Sequence, residues 1–453
     1  MRDELLNFDI FPSVVPADKV TNVKIKAKTE YLNFIDEVKY YVSVCPMEIH
    51  DIPINDEFTL DGYKYKEFEL YPKDGILEFE YKFIGEQKWC IRIRAGAEQY
   101  NYLDEVKLGY EKYWNLHQRE DKTRLYIYSL KEDLYNRRPL KGDLHLHTVF
   151  SDGNENPEIV VSNMRRFGND FCAITDHRFF DSSKRAVEKL NELNTGFKAF
   201  LGEEVHENYD GRIHIINFGG QESINKQIMD NYDEFMKAVR DDAKNYPDMD
   251  EKEALQLAFH KIICDMIRKV GGLCIFAHPF WDVCDSYNTP INVVFEVFKR
   301  GYYDAFELMS GIEQDQNNIQ LAVYNEMRTK GIKIPVVGST DCHNTHTRGV
   351  EYAGNAHTLV FSDGDIKESI TDGYSVAIEC VGNQREHVYG DLRLSKYAIF
   401  LVDNYFRVRD RLMESSGVMM AEYYNGAEYL KPAIELMEKR IKEFEGVLRK
   451  PCK

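Results

Sequence analysis

The stretch GDLHLHTVFSDG, residues 142–153, places His145 and His147 two apart at the end of an apparent strand, with Asp152 on the loop that follows. Strand alternation turns both imidazoles to one face, where they can grip a single cation, and Asp152 adds a hard oxygen donor. Two imidazoles alone say little. Four more clusters follow in chain order: AITDH with Asp176 and His177, LGEEVHENYDGRIHIINFG with Glu203, Glu204, His206 and His214, FAHPF with His278, and GSTDCHN with Asp341, Cys342 and His343. Each joins an apolar strand to an imidazole or a carboxylate. Of the 13 histidines, ten fall between His145 and His357. Burying so many ionisable groups without partners is costly, so shared cations are the physical explanation. Mixed His and carboxylate donors without thiolates suit Zn, Mn or Fe.

The elements that must position these groups change character along the chain. From about 20 to 130 the pattern alternates with period two, as in NVKIKAK, EVKYYVSV, ILEFEYKF and WCIRIRA, which predicts an antiparallel sandwich-like β domain over residues 1–135. It offers no ligand cluster. After NRRPLKGD, short apolar strands (GDLHLH, FCAITDH, FKAFLGEEV, RIHIINFG, GLCIFAHP, DAFELM, IPVVGSTD) alternate with helix candidates at 157–168, 182–194, 251–270 and 313–330. Asn156 is expected to cap the first of these, and Gly168 to end it. Such alternation implies a mainly parallel sheet, open or closed into a barrel. On this scheme His145, His147, Asp176, His177, Glu204, His278, Glu307 and Asp341 all fall at C-terminal strand ends, the rim where α/β folds build sites. From 391 to 453 the chain is again expected to be helical.

The motifs HLHTVFSDG, ITDH, GEE, IHIINFG, AHP and GSTDCH, in this order across residues 139–390, resemble the PHP (polymerase and histidinol phosphatase) family. The resemblance implies a distorted (β/α)7 barrel, preceded here by the β domain and followed by the C-terminal helices. It also implies a metal-dependent hydrolase with two or three divalent transition metal ions. Carried over by motif, the first metal is held by His145, His147, Glu204 and Asp341. Glu204 bridges to a second, completed by His214 and His278, and Asp152, His177 and His343 hold a third. In GEE the spacing selects Glu204, which turns Glu203 away from the site. Asp176 and Glu307 are expected to orient ligands. His50, His117, His260 and His387 lie outside the motifs and are read as structural.

Neighbouring cations make hydroxide available near neutral pH, and three of them match a phosphomonoester dianion better than a neutral carbonyl. The expected reaction is therefore hydrolysis of a small-molecule phosphate ester, nucleotides included. His206, His346 and Arg348 are candidate helpers, the histidines as proton donors and the arginine as a fork for phosphate oxygens. A looser likeness to carbaryl-type carbamate hydrolases keeps carbamate, ester or amide hydrolysis as an alternative. A non-catalytic metal-dependent binding module is the other.

Composition narrows the partners. A formal net charge of -18 disfavours general nucleic-acid or anionic-membrane binding. The start, MRDELLNFDIFPSVVPADKV, lacks a secretory signal pattern, and no apolar run suits a membrane span. Nine cysteines without a CxxC pair fit reduced thiols and a cytoplasmic location. The C-terminal helices leave a homo-oligomer as a possible assembly.

Overall fold

Alternation along the first strands has the expected consequence. In Val20–Ala27, Val23 and Ile25 are buried while Lys24 and Lys26 are turned outward, and the antiparallel partner Ile76–Lys82 buries Leu77 and Phe79 opposite them. The computed structural model describes residues 7–28, 33–48, 66–95, 124–207, 212–283, 285–380 and 385–448. His50, His117, Cys284 and Cys452 lie outside these. A three-stranded sheet (Phe8–Phe11, Val20–Ala27, Ile76–Lys82) and a five-stranded one (Val14–Pro16, Arg124–Leu130, Gln87–Ala95, Tyr40–Pro46, Lys66–Leu70) contribute to one core, with Trp89, Ile91 and Ile127 facing Val23 and Phe79. The chain is thus a mixed α/β protein with an N-terminal β-rich region.

Two compact units are present: Met1–Arg137 with Phe400–Val408 and Lys442–Lys453, and Arg138–Ile399 with Arg409–Ile441. The helices after 391 are shared between them. Within the first unit, Tyr405 stacks on Phe444, and the Val14 amide donates to the Leu448 carbonyl at 3.1 Å.

In the second unit one sheet runs in the order Lys198–Phe200, Phe171–Ala173, Arg138–Asp143, Ala356–Ser362, Ser375–Glu379, His387–Tyr389, parallel across its first three strands and antiparallel across the rest. A second sheet runs Gly202–His206, His214–Phe218, Leu273–Phe276, Ala305–Met309, Val336–Gly338. Here His214–Phe218 is antiparallel to both neighbours, a correction to the mainly parallel expectation. Residues 207–213 are too few for the helical crossover that a parallel pair needs. Isolated parallel bridges, Leu146 to Cys342 and His177 to Glu204, link the two sheets at their site ends. Among the described residues no helix is long and apolar enough to cross a membrane.

The helix Pro157–Arg166 starts at Asn156 with proline in its first turn, as expected, and Gly168 follows in the left-handed region at φ 83°. Asn156, however, caps only through its backbone: its carbonyl accepts from the Ile159 and Val160 amides, and its side chain makes no cap bond. Against this helix lies Arg407–Tyr424, brought so close at Gly417 that a Cβ there would meet the Arg166 nitrogen at 2.3 Å. Two buried ion pairs fasten the C-terminal helices within this unit. Arg165 forks onto Glu438 at 2.7 and 2.8 Å, and Arg409 reaches Asp170 at 2.9 Å. Glu438 also accepts from the Gly196 amide and the Ser416 hydroxyl.

Arg165→Met would strand the buried Glu438 carboxylate, and a broken buried pair costs about 3–5 kcal/mol. Urea or thermal unfolding of this variant should show a loss of that size, partly recovered in Arg165→Met with Glu438→Leu. A wild-type melting curve for the single variant would refute this account of the C-terminal helices.

Candidate metal centre

Beyond Asp143 the chain stays extended. Leu144 and Leu146 enter the core, while His145 and His147 share the opposite face with ring centroids 5.1 Å apart. The same alternation sets Glu204 and His206 on one face of Gly202–His206. Glu203 on the other face accepts from the Ser223 hydroxyl, the Asn225 amide group and the Ile224 backbone amide, so it secures the start of the helix Ile224–Asp230 rather than the site.

Glu204 is the hub. Its buried carboxylate lies 3.1 Å from His145 Nε2, 3.4 Å from His147 Nε2, 3.0 Å from His177 Nδ1, 2.7 Å from His214 Nδ1, 3.3 Å from His278 Nε2 and 4.0 Å from His206 Nε2. Asp341 stands beside it, 3.1 Å from His145 Nε2 and 2.9 Å from His147 Nε2. On the outer side Asp152 reaches His177 Nε2 at 3.4 Å, His343 Nε2 at 3.3 Å and His147 Nδ1 at 3.6 Å. Three groups of donor atoms are compact enough to share a cation, each lying within 4.8 Å of one another: His145, Glu204, His278 and Asp341; His147, Asp152, His177 and His343; and His177, Glu204 and His206.

Apart from His145, whose Nε2 hydrogen-bonds Glu204 Oε2 at 3.1 Å, most close approaches in the inner cluster are not aligned for hydrogen bonding. His147 Nε2, His177 Nδ1, Glu204 Oε1, His206 Nε2, His214 Nδ1, both His278 nitrogens and Asp341 Oδ1 are buried without an aligned hydrogen-bond partner. Groups that crowd together while misaligned for one another are disposed as ligands are, with lone pairs converging on shared points. Two of the residues also hold unusual backbone conformations, Asp341 at φ 51° and His278 at φ 21°. Surrounding structure must over-determine such positions for them to persist.

The electrostatics fit the same arrangement. For the chain alone, burial would raise Glu204, but His177, His214 and His145 outweigh it and hold the carboxyl well below its usual range. Asp341 is lowered in the same way by His145 and His147, and Asp152 by His177 and His343. Burial works against the charged imidazoles, yet Glu204 and Asp152 raise His177 to about 10, and Asp152 and Glu351 raise His343 to about 11. Burial and the neighbouring His214 push His206 well below the ordinary histidine value.

Supporting groups orient the ring atoms. His145 donates its Nδ1 hydrogen to Glu307 at 3.0 Å, which leaves Nε2 facing Glu204 and Asp341. Glu307 therefore orients the His145 ring. Asp176 acts one step removed: it accepts from the Thr148 amide and hydroxyl and from the Ser151 hydroxyl, and Ser151 Oγ lies 3.4 Å from His147 Nδ1. His343 Nδ1 lies 2.8 Å from the Asp341 carbonyl and 2.9 Å from Glu351. Of the expected helpers, His206 lies in the cluster with Nε2 4.0 Å from Glu204, whereas His346 is exposed and 3.2 Å from Glu155, and Arg348 is exposed on the same loop.

Sequence reasoning passed over several neighbours. Asp143 accepts from Thr340 and the His145 amide, and burial raises its pKa to about 7. Trp281, partly exposed, stands with its ring centroid 5.6 Å from His214 and 5.8 Å from His278. An aromatic residue three positions after the AHP histidine was the available signal. Glu351 carried none.

Residues 143–310 match the PHP domain family model. No curated protein matches the chain. Among solved structures it is similar to a two-domain protein containing a predicted PHP-like metal-dependent phosphoesterase from Bacteroides vulgatus (18% identity, TM-score 0.36, 53% of this chain and 65% of that one). It is similar also to a protein from Bifidobacterium adolescentis whose assignment as a metal-dependent phosphoesterase is itself a prediction (18%, 0.33, 46% and 89%). A third is an amidohydrolase from Chromobacterium violaceum with bound sulfate and no metal (15%, 0.31, 45% and 88%). The chain spans just under two thirds of the Bacteroides protein, and at these scores none of the three carries a functional argument. The family match stops short of Asp341 and His343, which reach the cluster through the fold. The match to the PHP domain family model is thus confined to residues 143–310 of this chain.

Proposed function

We propose that this protein is a metal-dependent hydrolase of small-molecule phosphomonoesters, with two or three divalent ions of Zn, Mn or Fe type at its Glu204 centre. One observation carries the reading: in the cluster that contains Glu204 and Asp341, eight buried nitrogen or oxygen atoms of seven residues have no hydrogen-bond partner. The proposed ligands are His145, His147, Glu204 and Asp341 for one ion, Glu204, His214 and His278 for a second, and Asp152, His177 and His343 for a third. Bound cations at such a site supply Lewis acidity and bring the pKa of water from about 15.7 towards about 7.

The chain's own residues divide the remaining work. Glu307 fixes the His145 ring, and Asp176 and Ser151 hold the loop that carries Asp152. His346 and Arg348, on the exposed loop after His343, are the proposed contacts for the leaving group and the phosphate oxygens. His206, the third expected helper, lies beside Glu204, with Nε2 4.0 Å from its carboxylate, rather than on this loop. Trp281 walls one side of the cluster. We further read the strands Arg138–Asp143, Phe171–Ala173, Gly202–His206, His214–Phe218, Leu273–Phe276, Ala305–Met309 and Val336–Gly338 as a distorted (β/α)7 barrel. The Leu146–Cys342 and His177–Glu204 bridges support that closure. Residues 1–135 are proposed as an accessory domain and 139–390 as the catalytic one.

Natively purified or anaerobically reconstituted protein is expected to hold two or three transition-metal ions per chain and to release phosphate from phosphomonoesters until a chelator is added. Elemental analysis finding no transition metal would sink the reading. Turnover of carbamates or aryl esters alone would replace it with the carbamate-hydrolase alternative.

Glu204→Ala removes the hub, so activity should fall to background and at least one ion should be lost. Asp152→Ala removes one donor on the outer side, so about two ions should remain while phosphate turnover weakens. Metal counting and kinetics on both variants check this. An unchanged metal complement and unchanged kinetics in Asp152→Ala would contract the site to two metals.

Cation binding should also release protons. In the chain alone His177 and His343 titrate at about 10 and about 11, so both are charged at neutral pH and must lose a proton to ligate. Because these pKa values are raised, the pairs stabilise the metal-free fold fully below the ordinary histidine pKa. That contribution disappears as pH rises through about 10 to 11. Calorimetric titration of chelator-treated protein with Zn(II), in buffers of different ionisation enthalpy near pH 7, should report net proton release and affinity that rises with pH. Absence of proton release would contradict the ligand role of these two histidines.

A further inference from the structure

His206 belongs to none of the motifs that carry the PHP resemblance, yet local geometry sends it into the cluster. It follows Glu204 by two residues on one strand, so both side chains share a face, while Val205 between them enters the core. Across the antiparallel pair its register partner is His214. The His206 ring centroid lies 4.0 Å from that of His214 and 4.2 Å from that of His177, the latter edge to face.

Its backbone amide is satisfied by Asn225 at 3.0 Å, but ring atom Nε2 is buried and has no hydrogen-bond partner. Nε2 points towards the hub, 4.0 Å from Glu204 Oε2. Burying an imidazole nitrogen with nothing to bond is unfavourable unless a ligand takes its lone pair.

We propose that His206 is itself a metal ligand, binding through Nε2 the cation held by Glu204. The donor atoms of His177, Glu204 and His206 lie within 4.8 Å of one another, a spread that a single ion can gather. This rests on the reading of Glu204 as a ligand. It replaces the role of proton donor for His206, which a coordinated ring cannot fill. An added imidazole also moves the donor set towards nitrogen, and nitrogen-rich sets favour Zn, Co and Ni over Mn.

The test uses Co(II) as the probe, added to the full-length, chelator-stripped protein and followed by visible absorption and by equilibrium dialysis. Wild type is expected to develop d–d bands and to bind two or three equivalents. His206→Ala should lose at least tenfold in affinity for one equivalent and show shifted bands, with free imidazole restoring both. The Co(II)-over-Mn(II) preference should shrink in the same variant. His206→Gln, which keeps most of the side-chain volume, repeats the measurement should the alanine variant fail to fold. Wild type that binds no Co(II) overturns the metal centre as a whole. Wild type that binds, with both variants matching it in stoichiometry, affinity and spectrum, leaves the centre standing and overturns the proposal for His206.

Discussion

The buried carboxylate of Glu204 is the constraint around which the second unit is arranged. Six imidazoles, from five separate stretches of chain, lie within 4.0 Å of it. An ionised carboxylate at this depth is tolerable only with positive charge beside it, and imidazolium protons and metal ions are alternative sources of that charge. The depressed acids and raised histidines of the chain alone therefore describe the same site that cations would stabilise. Removing the hub would leave several rings facing one another with nothing to share.

A layer of carboxylates behind the ligands performs a different task. Glu307 fixes the tautomer and tilt of His145, Asp176 fixes the loop leading to Asp152, and Asp143 ties Thr340 to the His145 backbone. Glu203, adjacent to the hub but on the opposite face, spends its hydrogen-bonding capacity on a helix start. Positioning of this kind limits how far the rings can relax, which is what a preorganised metal site needs. The left-handed backbone at Asp341 shows that the fold accepts local strain to aim a donor.

Stability of the same unit draws on elements remote from the cluster. The helices between Arg409 and Ile441 are held through Arg165–Glu438 and Arg409–Asp170, and the second of these also engages the strand at Lys141, whose amide donates to Asp170. Lys141 lies two residues before Asp143 and four before His145. A C-terminal segment with no chemistry of its own thereby braces the strand from which the first two histidines emerge.

Much of this was legible without coordinates, because the informative features are local. Period-two alternation lets only one of Glu203 and Glu204 face the site, and the G-x-E spacing of the PHP resemblance selected Glu204. The strand-end positions of His145, His177, His278 and Asp341 followed from the same reasoning, and the motif order added the family. What the tertiary structure decided is everything that depends on contacts between distant segments. The antiparallel course of His214–Phe218, the grouping of His278 with His145 and of His147 with Asp152, and the place of Glu351 beside His343 arise from strand order and loop packing, which leave no periodic mark in the chain. His206 shows the boundary most clearly. Its facing was implied by Glu204 two residues earlier, but its burial against His177 and His214, with a nitrogen left unpartnered, exists only once three strands have been brought together.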